Sequence, residues 1–272
     1  MIDPVLLGHV WRSQRTKVAA VALALAAWAA LLPLIYASFG QDMRRILESG
    51  IVPQSFLDMA SSLGGGDIFT LAGSVALGFV HPIAVALECV FAVGFASAAV
   101  AGERQRGTLE VLLSRPISRT ELVVTLFVAL AGFVALTVGA HILATVASAI
   151  ATGVAGELDL STFPLLWLNG VLLFLAVGGI GLAASVSTDR LTPALGVTLA
   201  VVLAGYVLQI LGSLWPDAAG LQPYSLFHYL RPQEVLAGDA DPWSFVVLAA
   251  VTAAALACAL VVFPRRDLAA PT

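Results

Sequence analysis

Charge is what this chain has least of. Only 11% of its 272 residues are Asp, Glu, Lys or Arg, where soluble domains carry about a quarter. So little charge cannot cover a water-facing surface, which excludes an ordinary soluble globular protein. Lysine is nearly missing: Lys17 is the only one. A P-loop needs Gly-x-x-x-x-Gly-Lys-Ser/Thr, whose lysine reaches the nucleotide phosphates. Thr16 precedes Lys17 and Val18 follows it, so nucleotide binding through that motif is excluded. Cys89 and Cys258 lie in apolar runs without metal-ligand spacing and read as small core residues. His9, His81, His141 and His228 are scattered, with no His-Glu-x-x-His for zinc and no Gly-x-Ser-x-Gly nucleophile turn. Gly64-Gly65-Gly66-Asp67 matches a Gly-x-Gly-Asp protease string. However, Asp67 lies outside the apolar runs and no second aspartate lies inside one, so the string reads as a glycine turn. An intramembrane enzyme is the remote alternative.

What the chain has in abundance is apolar length. Sixty per cent of it is hydrophobic, and mean hydropathy is +0.97. A spanning helix needs roughly 20 apolar residues. Runs at 18–37, 81–101, 122–153, 163–187, 193–215 and 243–263 meet that requirement. The expected fold is an all-α membrane protein, residues 1–272 forming one transmembrane domain of six helices. The run from Val18 is too long for a signal-peptide core, so no cleavable signal is expected. Before it, Val5, Leu6, Val10 and Trp11 can share a face, which predicts an N-terminal interfacial helix with Trp11 as its anchor. Between the first two spans, Ile46, Leu47, Ile51, Phe56, Leu57 and Met59 suggest short interfacial helices, broken at Gly64–Gly66. Ile68 to Val80 would dip into the membrane surface, and Pro216 to Asp241 would be an outer segment.

The distribution of charge gives an orientation. Even spans put both termini on one side. That side holds three basic residues before the first span, four between Gly102 and Glu121, Arg190, and two after the last span. The other side holds only Arg44, Arg45 and Arg231. Basic residues stay inside, so both termini and the Gly102–Glu121 loop are expected in the cytoplasm of a multi-pass cell-membrane protein.

Gly102 to Glu121 carries seven of the 30 charged residues. Leu109, Leu112 and Leu113 fall on one helical face. Arg106 and Glu110, four apart, are expected to pair on the other. Pro116 ends the helix one residue early. Ser118 with Glu121 three residues on predicts a capping box opening the third span. Read from the residues alone, this is an interfacial helix that orients its neighbours. Inside the spans, Glu88 is the only clear ionisable group. It reads either as a polar contact between helices, to a Ser or Thr of a neighbour, or as part of a translocation route or dimer seam.

The string Gly102-Glu103-x-x-x-Gly107-Thr108-Leu109-x-x-Leu112-Leu113-x-x-Pro116-x-Ser118-Arg119 resembles the cytoplasmic loop of ABC-2-type permeases, the membrane subunits of one class of ATP-driven exporters. Leu226-Phe227-His228-Tyr229 with Pro232, and Phe263-x-Arg265-Arg266-Asp267, are similar to that family's outer segment and C-terminal end. The resemblance implies a coupling helix between spans two and three that docks on an ATPase subunit. Its residues would be Glu103, Arg106, Gly107, Thr108, Leu109, Glu110, Leu112, Leu113, Arg115 and Arg119. It also implies a second permease protomer, as homodimer or heterodimer, with the route between protomers and lined mainly by spans two and five. The cargo would be a drug or other amphiphile. No cofactor would be bound by this chain, ATP and Mg belonging to the partner. The bilayer is the remaining partner, and no nucleic acid is expected. A secondary transporter or channel without an ATPase is the alternative, and one intramembrane carboxylate is thin support for an ion pathway.

Overall fold

The computed structural model describes residues 2–48 and 70–266, with side chains for 2–40 and 70–266. The long helices are α1 (Pro4–Glu48), the pair α2 (Leu71–Val80) and α3 (Pro82–Ala98), α6 (Arg119–Ala151), α7 (Phe163–Ser187), α8 (Leu191–Leu214) and α10 (Pro242–Arg265). Short helices α4 (Ala101–Gln105), α5 (Leu109–Leu113) and α9 (Pro232–Leu236) lie between them. Counting α2 and α3 as one span, six helices are long and apolar enough to cross a membrane. No strand occurs among the described residues. At about 1.5 Å per residue, the 33 residues of α6 exceed the roughly 30 Å of a hydrocarbon core. It therefore projects beyond the core at one or both ends.

Helix α7 is the axis of the packing, touching α3, α6, α8 and α10. Its glycines make the close crossings. A Cβ at Gly178 would lie 2.7 Å from Leu130, and one at Gly181 would lie 3.1 Å from the Ala96 Cβ. In the span containing α7, 67% of the most apolar stretch is buried, against 22% for α8 and 17% for α10. The bare faces of α8 and α10 are therefore left for lipid or another protein. Cys89 is buried as expected, but Cys258 lies exposed on α10.

Three expectations about the first third change. The N-terminal interfacial helix is not a separate element, because α1 runs unbroken from Pro4. The Asp3 carboxylate caps it, accepting from the Leu6 N–H at 2.6 Å, and the Asp3 N–H donates to Thr125 of α6 at 3.0 Å. Leu6 and Val10, one helical turn apart, are buried, whereas Val5 points away. Trp11 stacks on Phe133 at 5.1 Å and keeps an exposed edge. The backbone of 41–48 continues α1. The interfacial helices expected over 46–59 otherwise fall, like the glycine turn, outside the described residues. Finally, Leu71–Val80 does not lie on the surface but forms the first part of span two.

That span bends at His81-Pro82 for an identifiable reason. Pro82 has no N–H to give to the Gly78 carbonyl four residues back. The Trp28 indole N–H of α1 supplies the missing donor at 3.0 Å. His81 caps the new start, its Nδ1 accepting from the Ile83 N–H at 3.3 Å.

The distal end, opposite the start of α1, is closed by the segment before α10. Asn169 of α7, fully buried, donates to the Tyr229 carbonyl at 2.9 Å and accepts from the Arg231 N–H at 3.1 Å. Arg231 reaches the His228 Nε2 at 2.8 Å and Glu234 at 3.1 Å. Burial, then the Arg231 charge, lowers the pKa of His228, with Glu234 opposing.

Candidate functional site

The Gly102–Glu121 stretch folds as two short helices rather than one. Gly107 takes φ +71, a left-handed conformation that glycine adopts without a Cβ penalty. The chain turns there between α4 and α5. The turn separates Arg106 from Glu110, so the expected pair does not form and Arg106 pairs with Glu103 instead. The Thr108 hydroxyl donates to the same Glu103 carboxylate. Glu103 thus organises the turn from below, half-buried, with its two partners exposed.

The stop and restart follow the sequence. α5 ends at Leu113, before Pro116. The Ser118 Oγ accepts from the Glu121 N–H at 3.1 Å while Glu121 accepts from the Ser118 N–H at 3.1 Å. This is the reciprocal capping box expected at the start of α6.

The ten residues singled out for this loop divide into groups. Leu109 is 3% exposed, and Leu112 and Leu113 are half-buried against the protein's own core. The apolar face therefore serves internal packing. Arg119 donates to the carbonyls of Phe263 at 3.2 Å, Pro264 at 3.3 Å and Arg266 at 2.6 Å, fastening the start of α6 to the end of α10. Arg106, Gly107, Thr108, Glu110 and Arg115 form the exposed remainder. Val111, which sequence reasoning passed over because it lies off the leucine face, is 67% exposed beside Glu110. It gives the strip an apolar centre.

Other residues missed in the sequence hold this loop in place. Ser185 of α7 accepts from the Val100 and Ala101 N–H groups at 3.0 and 2.9 Å and donates to the Ser97 carbonyl at 2.8 Å. This satisfies the backbone where span two ends and α4 begins. Gln105 accepts from the Leu191 N–H at 2.9 Å. Asp189, in the turn between α7 and α8, sits 2.7 Å from Arg104 and also pairs with Arg266. Arg266 further donates to the carbonyls of Val186 and Thr188, each at 2.9 Å. A lone serine in an apolar run gives no sequence signal. Asp189 marked only a turn, because its partners are 85 and 77 residues away in the chain.

Glu88 is 3% exposed and accepts from the Thr137 hydroxyl of α6 at 2.8 Å. This is the contact to a neighbouring helix that its position allowed. Its second oxygen has no partner among the described residues. His141, one turn beyond Thr137, stacks on Phe79 at 4.1 Å. Elsewhere, a cavity of about 320 Å³ lies where the bend of span two faces α8. It is lined by Leu77, His81, Pro82, Tyr206, Gln209 and Ser213 among others. The Gln209 Oε1 is buried there without a partner among the described residues.

Six long apolar helices with a charged loop at one end define a polytopic membrane protein. The family model described as ABC-2 family transporter protein matches residues 8–268. The chain belongs to that family, as a membrane permease of an ABC-type transporter. None of the curated proteins matches it.

Proposed function

We propose that this chain is the permease half of an exporter in which a separate ATPase subunit docks on the exposed strip from Arg106 to Arg115. The observation that carries this reading is the division of labour within the loop. Its leucines are consumed by internal packing, so the loop is seated on the bundle without lipid. Yet Val111, Glu110, Arg106 and Arg115 are left outward on it. An interfacial helix would bury its apolar face in lipid. An apolar residue rimmed by charges on a fixed support is instead the pattern of a protein interface. The arginine excess on this side favours its placement in the cytoplasm, where an ATPase would meet it. ATP and Mg would be bound and hydrolysed by that partner, and this chain would act as no enzyme of its own. Closure of two ATPases would pull two such loops and rock a pair of permeases. The cavity between the bend of span two and α8 lies where a route between spans two and five would pass. Its mixed apolar and hydrogen-bonding lining suits an amphiphilic cargo.

The test avoids Arg106, since reversing it would set two acids against each other at Glu103. Glu110→Arg with Val111→Asp changes only exposed side chains. Insertion and unfolding temperature should remain those of wild type, while copurification with the ATPase and export should both be lost. Wild-type copurification and export by this double variant would remove the loop from the coupling path.

A further inference from the structure

A second cleft, of about 570 Å³, lies between the first half of α1 and α3. That is within the roughly 300–1,000 Å³ of small-molecule sites. Its two walls differ in kind. Along α1 the lining mixes Leu6 and Val10 with His9, Ser13, Gln14 and Lys17, then runs through Ala20 and Val21, so its polar residues stop at Lys17. Across from it, α3 contributes Val90, Phe91, Gly94 and Phe95, all apolar. Gly94 widens the slot, since a Cβ there would meet nothing within 4 Å.

The charge at the mouth is unbalanced. Glu103 and Arg106 line the cleft but pair with each other. Lys17 has no ion-pair partner among the described residues. No acidic residue occurs from Pro4 to Gln41, whereas Arg12 and Arg15 are exposed on the same stretch of α1. A cation on a flexible apolar stem, placed where a polar wall turns apolar, is suited to holding a phosphate at the membrane surface.

We propose that this cleft binds one anionic phospholipid of the leaflet on the side where α1 begins, its headgroup phosphate at Lys17 and an acyl chain against Phe91, Gly94 and Phe95. The site does not depend on coupling to an ATPase. A neutral amphiphile would use only the apolar wall and leave Lys17 unmatched, and a protein segment would have to match a narrow slot with one polar and one apolar side.

The full-length chain in phosphatidylcholine nanodiscs, doped with a photocrosslinking phosphatidylglycerol or the matching phosphatidylcholine probe, tests this. Peptide mapping should show the phosphatidylglycerol probe labelling residues 9–21 and 90–98 several times more than the phosphatidylcholine probe. Lys17→Gln should bring the two probes to the same level. Gly94→Leu puts a better helix former and a bulky side chain into the slot, its Cβ starting in open space. It should suppress labelling of these segments by both probes while leaving the bare face of α8 labelled as before. Equal labelling of the wild type by both probes, or unchanged labelling in Gly94→Leu, overturns the proposal. So does crosslinking of Gly94→Cys between two copies in a Cys89→Ala, Cys258→Ala background, which would make the cleft an interface between protomers.

Discussion

The two ends of this helix bundle are fastened by different chemistry. At the distal end the fastener is neutral and buried: one amide, Asn169, satisfies a carbonyl and an N–H of the segment Tyr229–Arg231. At the proximal end one buried hydroxyl, Ser185, is joined by charged fasteners. Arg119 and Arg266 hold backbone carbonyls at or near the ends of α7 and α10. Asp189, 60% exposed, ties Arg104 to Arg266. Cations at helix C-termini also meet the negative end of the helix dipole. Water can replace a broken contact at an exposed ion pair, but it cannot reach a buried amide. The distal fastener should therefore be the more intolerant of change, and the ion-paired part of the proximal end the more easily released. An end that releases cheaply is suited to passing on motion.

The largest expected effect breaks the distal fastener. Asn169→Leu leaves two backbone groups without their partner, at about 1–3 kcal/mol for each buried group left unsatisfied. The unfolding temperature in detergent should fall by the equivalent of about 2–6 kcal/mol. Next comes the bend of span two. Trp28→Phe keeps most of the ring but removes the donor that replaces Pro82 at the Gly78 carbonyl, so a loss of about 1–3 kcal/mol is expected. The smallest effect is Asp189→Asn, which weakens two exposed pairs and should cost at most about 1 kcal/mol. The same thermal scan ranks all three variants. If Asp189→Asn destabilises as much as Asn169→Leu, the contrast between the ends is wrong. If Asp189→Asn changes ATPase copurification but not unfolding, the contrast is sharpened, because the proximal network would then set loop position rather than stability.

Much of this was legible in the chain. Spans four to six begin and end within two residues of where their apolar runs do, because membrane-length hydrophobicity is a local, additive property. The capping box at Ser118 and the stop before Pro116 were legible for the same reason, since each needs only neighbours in sequence. The misreadings share the opposite cause. The helix pair of span two begins ten residues before the expected start, because Ile68 to Val80 alone is too short to span; Thr70 caps the start at Leu71, and Trp28, 50 residues upstream, satisfies the Gly78 carbonyl at the bend that joins the two parts. The Arg106–Glu110 pairing assumed a continuous helix, which the left-handed turn at Gly107 interrupts.

The sequence by itself determined a six-span all-α membrane protein, its family, and the loop that carries its charge, because hydropathy, caps and a dense local motif are written in consecutive residues. Only the tertiary structure decided that the loop's leucines face inward and Val111 outward, that Arg119 fastens helices, and that Glu88 meets Thr137. Those outcomes depend on which side chains the packing around α7 brings within bonding distance, and partners 49 to 147 residues apart leave no trace in the spacing of either one.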